Sequence, residues 1–597
     1  MKNWKRLTTL GLSVAMILGM VSGCGNSEGT GTGDSQAAST QQTEQASTQQ
    51  TEQVSNGKDL SWLNSSQTLP LVKEGTEKTL TVYVGMPEGS PEPEDTWFYQ
   101  FVEEAMNINL EVTKFTSANK AEFISLAFAS GELPDLIIAG GFSAPDLVKY
   151  GAIEGQLMDM APYLNETYMP NLTAIYEANP EYKTAIQDSE EHIWSFGFIS
   201  DGANYGMISR AFMNYSYLEE LNLKIPETLD EFLDAMRAIK AAGLCEYPIG
   251  GSYARHTPLD YILNAFGYVF DTNYTNGMKI SLRNGEVVLP VADREAYGEF
   301  LKVMKTCYDE GLIHPDFFTM DKQTTENRMA TNLNAFYVQA PSVFLDSVDD
   351  WWGALPLTSE YNDTQQWAFN TGANSCGGVV VSSTCEEPEL VATFIDWFYT
   401  YRTYYMSEIG PNADHDTEYL YGYDGWVQNE ETPGRERQLK YELEPEINQV
   451  EYMNTVHLWD YNVIGTSIWD ETAYVEDPDA WAKELKIENL DEFASLVAKR
   501  YEPESLPDHV GWVGLASAAG QFITREVYPS IVYLDAETSE QAGNLLVGIK
   551  EYAQQETAKF ITGGRSLDEL DDYFDEIERL GATEYVQIYK DYYESVK

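Results

Sequence analysis

Apolar and polar side chains alternate through Thr79-Leu80-Thr81-Val82-Tyr83-Val84, a pattern that predicts a half-buried strand ending at Gly85. Phe123, Ile124, Ala127 and Phe128 follow at helical spacing, Gly131 and Pro134 stop that helix, and Leu136-Ile137-Ile138 before Gly140-Gly141 predicts a short buried strand opening into a turn. This strand, helix, strand unit argues for parallel sheet with crossover helices. Met207-Ile208-Ser209-Arg210 opens the next lobe, where Thr228 and Glu231 form a capping box ahead of the apolar face Phe232, Leu233, Met236 and Ile239, and Gly243 ends the helix. Another helix is expected over about residues 294–309, a buried strand at Gly377-Gly378-Val379-Val380-Val381, and a helix through Leu390, Phe394, Ile395 and Phe398. The carboxyl end reads as helical, with Ser539 and Ser566 as N-caps, Glu569 completing a second capping box, and breaks at Gly563-Gly564 and Gly581.

The amino end has a different pattern. Lys2, Lys5 and Arg6 precede an apolar run over residues 7–21, too short to span a hydrocarbon core but suited to an export signal. Val21-Ser22-Gly23-Cys24 resembles the lipobox of bacterial lipoproteins, so Cys24 is the expected acylated N-terminus of the mature chain. Two or three acyl chains anchor stably where one does not, at roughly 0.8 kcal/mol per buried CH2. Residues 25–57 are Gly, Ser, Thr, Gln and Glu with the near-repeat Ser-Thr-Gln-Gln-Thr-Glu-Gln at 39–45 and 47–53, too polar to offset the entropy of folding. Such a tether spans on the order of 30 Å. Its Gly25-Asn26-Ser27-Glu28-Gly29 matches a hydrolase pattern without the strand and helix that the pattern needs, and is read as chance.

Composition narrows the function. The body beyond the tether exceeds what one core serves, so two lobes are expected. With 37 Lys and Arg against 95 Asp and Glu the formal charge is −58, which excludes nucleic acid and anionic surfaces as partners and favours a solvated acidic surface. Among the five cysteines, Cys245, Cys307, Cys376 and Cys385 have neither zinc spacing nor the density of a disulfide scaffold, and only Cys376 with Cys385 is a modest disulfide candidate. No nucleophile triad, H-E-x-x-H or phosphate loop stands out, so no cofactor and no metal motif is expected, a calcium site assembled from distant carboxylates being left open. In Asp271-Thr272-Asn273-Tyr274-Thr275-Asn276-Gly277 the glycine falls one place too late for a calcium loop, and Asp414-His415-Asp416 lacks it.

Several segments carry a resemblance over nearly the whole body: Ala129-Ser130-Gly131-Glu132-Leu133-Pro134-Asp135-Leu136-Ile137, Gly151-Ala152-Ile153 with Leu157-Met158-Asp159-Met160, Leu218-Glu219-Glu220-Leu221-Asn222-Leu223 leading into Pro226-Glu227-Thr228-Leu229-Asp230-Glu231-Phe232, Glu310-Gly311-Leu312-Ile313, and Lys559-Phe560-Ile561-Thr562-Gly563. In that order they resemble family 1 extracellular solute-binding proteins of ABC importers, in particular the large Gram-positive lipoproteins linked to oligosaccharide uptake. Where relatives often have Asp-Gly-Lys-Ile-Tyr, this chain has Glu190-Glu191-His192-Ile193-Trp194.

The resemblance implies an α/β, two-lobed periplasmic-binding-protein-like fold of type II, its lobes joined by hinge strands that close on a carbohydrate and present it to a permease. The expected division is a signal at 1–23, lipidated cysteine and tether at 24–58, mainly a first lobe over 59–206 and 372–410, and mainly a second over 207–371 and 411–597 with helical C-terminal additions. Crossings are expected near residues 206–212 and 367–378. The implied protein is a monomer on the outer face of the cell membrane, without cofactor or catalysis. Flat rings suit the CH-rich faces of sugars, so Trp97, Trp194, Tyr205, Trp367, Trp426 and Trp459 are the candidate platforms, with Trp397 read as helix core. Arg255, Asp260, Gln339, Asn370 and Asn374 are the polar candidates near the same loops, although caps, turns and surface ion pairs use the same residue types.

Two other classes fit the same leader. An exported polysaccharide-active enzyme needs two carboxylates flanking the scissile bond, and 95 acidic residues offer too many pairs for counting to decide. A peptide- or signal-binding lipoprotein would have a small apolar cleft in place of a wide aromatic one.

Overall fold

The computed structural model describes residues 58–597 except 201–210, 271–274, 332, 339–349, 369–371, 374–375, 428–437, 440–448, 460–462, 475–488 and 501–521. The expected lipidation site Cys24, and the candidates Tyr205, Gln339, Asn370 and Asn374, lie outside the described residues.

The body begins as its pattern predicts. Strand β1 (Thr79–Gly85) leads through helix α1 (Trp97–Glu104) to β2 (Asn109–Phe115), and helix α2 (Lys120–Ser130) ends at Gly131 with φ 71° before β3 (Leu136–Ile138). A short strand β4 (Phe198–Ser200) then carries the chain toward β5 (Ala211–Asn214). Beyond it lie α3 (Leu229–Ala241), α4 (Ala296–Asp309), β6 (Phe336–Val338) and β7 (Trp351–Gly353). The return runs through β8 (Trp367–Ala368), β9 (Gly372–Ala373) and β10 (Val379–Val381) into α5 (Pro388–Trp397) and α6 (Tyr401–Ile409). After β11 (Gly465–Thr466) and β12 (Ile523–Thr524), the chain ends in α7 (Ala536–Thr562), α8 (Leu570–Arg579) and α9 (Ala582–Val596).

Two large hydrophobic cores result. The first surrounds the sheet β10-β3-β1-β2, in which β1 runs parallel to β2 and β3, with Val82 opposite Leu136, and β10 is antiparallel, with Val379 opposite Ile138. The second surrounds the antiparallel sheet β7-β5-β6, Met213 pairing with Trp352 and Phe336, and takes in α3, α4 and the buried faces of α7 and α8. A third small sheet, β9-β4-β11, joins the two strands on which the chain crosses, with Ser200 opposite Gly372. Ile199 belongs to the first core and Ala211 to the second, while on the return Ala368 belongs to the second and Val379 to the first.

The structure departs from the expected elements in identifiable ways. Within the stretch after residue 410, expected mainly in the second lobe, Val456, Leu458, Trp459 and Ile464 pack in the first core. Thr228 caps α3 through the Glu231 amide at 3.2 Å, but the Glu231 carboxylate accepts from Glu227 N at 2.9 Å instead of closing back on Thr228. Asp535, not Ser539, caps α7, accepting from Thr538 N at 3.0 Å, and Ser566 accepts from Asp568 N at 3.2 Å at a 3-10 turn instead of completing a box with Glu569. Cys376 and Cys385 are free thiols, as are Cys245 and Cys307. Strand β10 lies between the first pair, and its rise of about 3.3 Å per residue carries their side chains apart. Among the described residues no helix is long and apolar enough to cross a membrane.

Candidate functional site

Strand β4, on which the first crossing begins, also anchors an aromatic cluster. Phe198 packs 5.0 Å from the ring of Tyr404 and shares a buried cluster with Tyr401, Tyr405, Ile409 and Trp426. Gly465 of β11 permits this approach. Its φ is 107°, and a Cβ there would stand 2.9 Å from both the Phe398 carbonyl oxygen and the Tyr404 ring. The segment after β11 then holds the start of α6, since Asp470 accepts from Tyr401 N at 3.0 Å and Thr472 Oγ1 accepts from Arg402 N at 3.3 Å.

Beside this cluster is a recess of about 10 Å³, room for about one water molecule, lined by Tyr401, Arg402, Tyr405, Asp416, Trp426 and Tyr474, with Met406 and Ala473 completing it. Asp416 is its buried charge. Asp416 accepts from the Arg402 guanidinium, from the Tyr474 hydroxyl at 3.2 Å and from Asn412 N at 2.9 Å. Asn412 in turn accepts from Asp414 N and His415 N, so the Asp414-His415-Asp416 stretch is a turn closed by an amide and an arginine. The His415 ring stacks on Tyr474 at 4.3 Å, and the Arg402 guanidinium lies 4.9 Å from the same ring. Trp426 is fixed by its indole N–H, which donates to the Gly410 carbonyl at 3.0 Å. Flat apolar rings beside a rigid fork of donors and a fixed carboxylate are the groups that recognise a ring bearing C–H faces and hydroxyls. Among the described residues, no group of three or more His, Cys, Asp and Glu side chains is arranged to hold a metal ion.

The structure separates the sequence-derived candidates. Among the described candidates, Trp426 alone lines the recess. Trp97 has no exposed surface: it stacks 5.0 Å from Phe101 and donates to the Tyr419 carbonyl at 2.7 Å. Trp459 is equally enclosed, edge-on to Phe98 at 4.9 Å and to Phe398 at 5.2 Å. Trp367 is buried in the second core 5.8 Å from Tyr261. Trp194 packs over Gly151 and donates to Asp188 at 2.8 Å. These four rings have their faces occupied by protein and act as core residues, the role that Trp397 was expected to have and does, 5.4 Å from Phe101.

The polar candidates divide similarly. Asp260 is a buried turn anchor, accepting from Thr275 N at 2.6 Å and Thr275 Oγ1 at 2.9 Å, and burial raises its carboxyl to about 6 despite those bonds. Arg255 is partly exposed and donates to Glu326 through Nε at 3.1 Å and Nη2 at 2.9 Å. Sequence reasoning missed Arg402, Asp416 and Tyr474. The available signal was the aromatic run Tyr401-Arg402-Thr403-Tyr404-Tyr405, which puts an arginine one residue into a helix of rings.

No protein-family model matches the chain. The fructooligosaccharide ABC transporter substrate-binding protein FusA of Streptococcus pneumoniae is 22% identical over 539 residues, 88% of this chain and 91% of that protein. The solved structure of S. pneumoniae FusA in complex with kestose superposes with a TM-score of 0.64 at 21% identity, covering 87% of this chain and 99% of that one. The chain has the fold of an extracellular solute-binding protein. An extracellular solute-binding protein from Bifidobacterium longum subsp. infantis gives a TM-score of 0.65 at 17% identity over the same shares. Lipoprotein LipO of Bacillus subtilis is 25% identical over 230 residues, 36% of this chain and 40% of that protein. The solute-binding fold accounts for the two cores joined by the small sheet β9-β4-β11, because such proteins bind between lobes that move about their connecting strands.

Proposed function

We propose that this protein captures an oligosaccharide between its two lobes and delivers it, chemically unchanged, to the membrane subunits of an ABC importer. The observation that carries this reading is the likeness to FusA, which runs through 88% of the chain and includes both lobes. The recess beside the crossing strands brings together suitable groups, Trp426, Tyr401, Tyr405 and Tyr474 as apolar faces and Arg402 and Asp416 as a fixed polar pair, and it must widen from its present volume of about 10 Å³ to admit a sugar ring. Tyr205, Asn370 and Asn374 remain proposed contacts from their places in the sequence at the expected crossings, Gln339 from its place before Pro341, and Arg255 from its partly exposed guanidinium. Ligand binding selects the closed arrangement, which the importer recognises.

The same reading puts the protein on the outer face of the cell membrane, held by acyl chains on Cys24 and lifted off by the tether. The lipobox-like Val21-Ser22-Gly23-Cys24 and the relation to lipoprotein LipO support it. Among the described residues, the carboxyls raised by burial, Asp260 and Asp396, are enclosed by backbone and hydroxyl donors, which favours binding over glycoside hydrolysis.

Titration calorimetry with kestose, longer fructans, other oligosaccharides and peptides tests the proposal, with reducing-end release followed in the same samples. Saturable binding of one carbohydrate series with no release is expected. At 100 times the dissociation constant that ligand adds about 2.7 kcal/mol of stability. Binding of peptides alone, or release of sugar, overturns it.

A further inference from the structure

Besides the two crossings on the small sheet, and the passage from Ile464 of the first core to Phe493 of the second, the chain passes between the cores again just before α7. Tyr528 lies in the second core and donates to the Tyr589 carbonyl of α9 at 2.9 Å. Ile531 and Tyr533, each 7% exposed, belong to the first core. The residues between and after them, Val532 and Leu534, pack half-buried against the second. By Ala542 the chain is wholly in the second core again. Alternation with period two is what an extended segment produces when both its faces are covered, one by each lobe.

The ends of this segment are fixed. Upstream, β12 pairs in parallel with β8, Ile523 opposite Trp367, so it is tied to the strand on which the chain returns to the first lobe. Downstream, Asp535 caps α7, and α7 itself touches the Val148–Ile153 turn of the first lobe. The Tyr533 phenol is buried with Cys376, Asp188 and Tyr176 of the first lobe and Tyr592 of α9 as its electrostatic neighbours, yet its hydroxyl has no hydrogen-bond partner. A buried unpartnered hydroxyl costs free energy in this arrangement, and a small relative movement of the lobes changes what it faces.

We propose that residues 531–534 form a strap whose alternate side chains grip the two lobes and set the ligand-free distribution of lobe angles. The proposal concerns the lobes alone and holds for any ligand. Its functional consequence is general: the apparent dissociation constant is the intrinsic one divided by the fraction of molecules in the binding-competent arrangement, so a change in the strap alters affinity through that fraction.

Spin labels introduced through unnatural side chains at the exposed positions Glu132 and Lys224, one in each lobe, report the interlobe distance distribution in the full chain without ligand. Tyr533→Leu and Leu534→Ala, which loosen the first-lobe and second-lobe grips respectively, are expected to shift or broaden that distribution by more than about 2 Å. Val547→Ala, on the exposed face of α7, is expected to leave it unchanged. Tyr533→Phe removes only the unpartnered hydroxyl, so it keeps the test available should the larger truncations not fold. It is expected to narrow the distribution about the present arrangement. Folded Tyr533→Leu and Leu534→Ala chains with the wild-type distribution overturn the proposal, as does an unchanged Tyr533→Phe when the truncations fail to fold.

Discussion

Arg402 holds the carboxylate of Asp416 at the floor of the recess, the aspartate side chain 2% exposed and the arginine 35%. Removing the arginine alone leaves a buried carboxylate with the Tyr474 hydroxyl and one backbone amide as its remaining donors. Arg402→Ala is therefore expected to lower stability by about 2 kcal/mol, less than for a fully buried pair because Arg402 is screened by solvent. The double variant Arg402→Ala with Asp416→Asn should recover part of that loss. Urea denaturation of both single variants and the double variant gives the coupling, and a coupling near zero would show that the pair contributes nothing.

The tryptophans supply a contrast between core and contact. Trp97→Ala and Trp459→Ala open cavities beside Phe98 and are expected to cost about 3–5 kcal/mol each while leaving affinity per folded molecule unchanged. Trp426→Phe keeps an apolar ring but loses the bond to the Gly410 carbonyl, and is expected to weaken oligosaccharide binding with a much smaller stability loss. Parallel melting and calorimetry on the three variants separate the two roles.

That contrast also marks what the sequence reveals. The alternation in β1, the glycine stop at Gly131 and the capped amphipathic face of α3 are local signals, and the structure has those elements within a few residues of where the pattern puts them. The joining sheet has no such signal, because Gly372–Ala373 and Gly465–Thr466 are too short for any periodicity and pair only through distant chain. A tryptophan's identity does not reveal whether its faces meet protein or solvent: Trp97 and Trp426 both sit near element ends, yet one is stacked on Phe101 and the other lines a recess. Arg402 and Asp416 meet only because the turn at 412–416 folds back onto α6, a tertiary event with no local mark.

Buried carboxyls make stability depend on pH in a defined direction. Asp396 accepts from Ser66 Oγ at 2.5 Å, Asn171 N at 3.1 Å and Leu172 N at 2.8 Å, yet burial raises it to about 6 from its ordinary value of 3.8. Between those values the folded chain keeps a proton that the unfolded chain has released, so the contribution to stability falls as pH rises from about 4 to about 6 and is constant above. Asp260 acts in the same sense. Asp396→Asn is expected to remove its share of this slope, whatever its effect on absolute stability. Unfolding free energies of the wild type and variant, compared from pH 4 to pH 7, should converge or diverge only below about pH 6; a constant difference across that range would place the Asp396 carboxyl in its ordinary range.

Gly465 tests whether the joining sheet sets the geometry of the recess. Its φ of 107° disfavours any L side chain, and a Cβ would press the Phe398 carbonyl and the Tyr404 ring, each at 2.9 Å. The strained backbone alone costs on the order of 1–3 kcal/mol. Relief requires β11 to move from β4, since Phe398 and Tyr404 are themselves buried, and β11 leads into the segment that holds Tyr401 N and Arg402 N. Gly465→Ala should therefore lower stability and, in the molecules that remain folded, weaken oligosaccharide binding although residue 465 does not line the recess. Calorimetry on the folded fraction distinguishes this from a simple loss of stability: unchanged affinity there would mean that the recess keeps its shape independently of the sheet that joins the lobes.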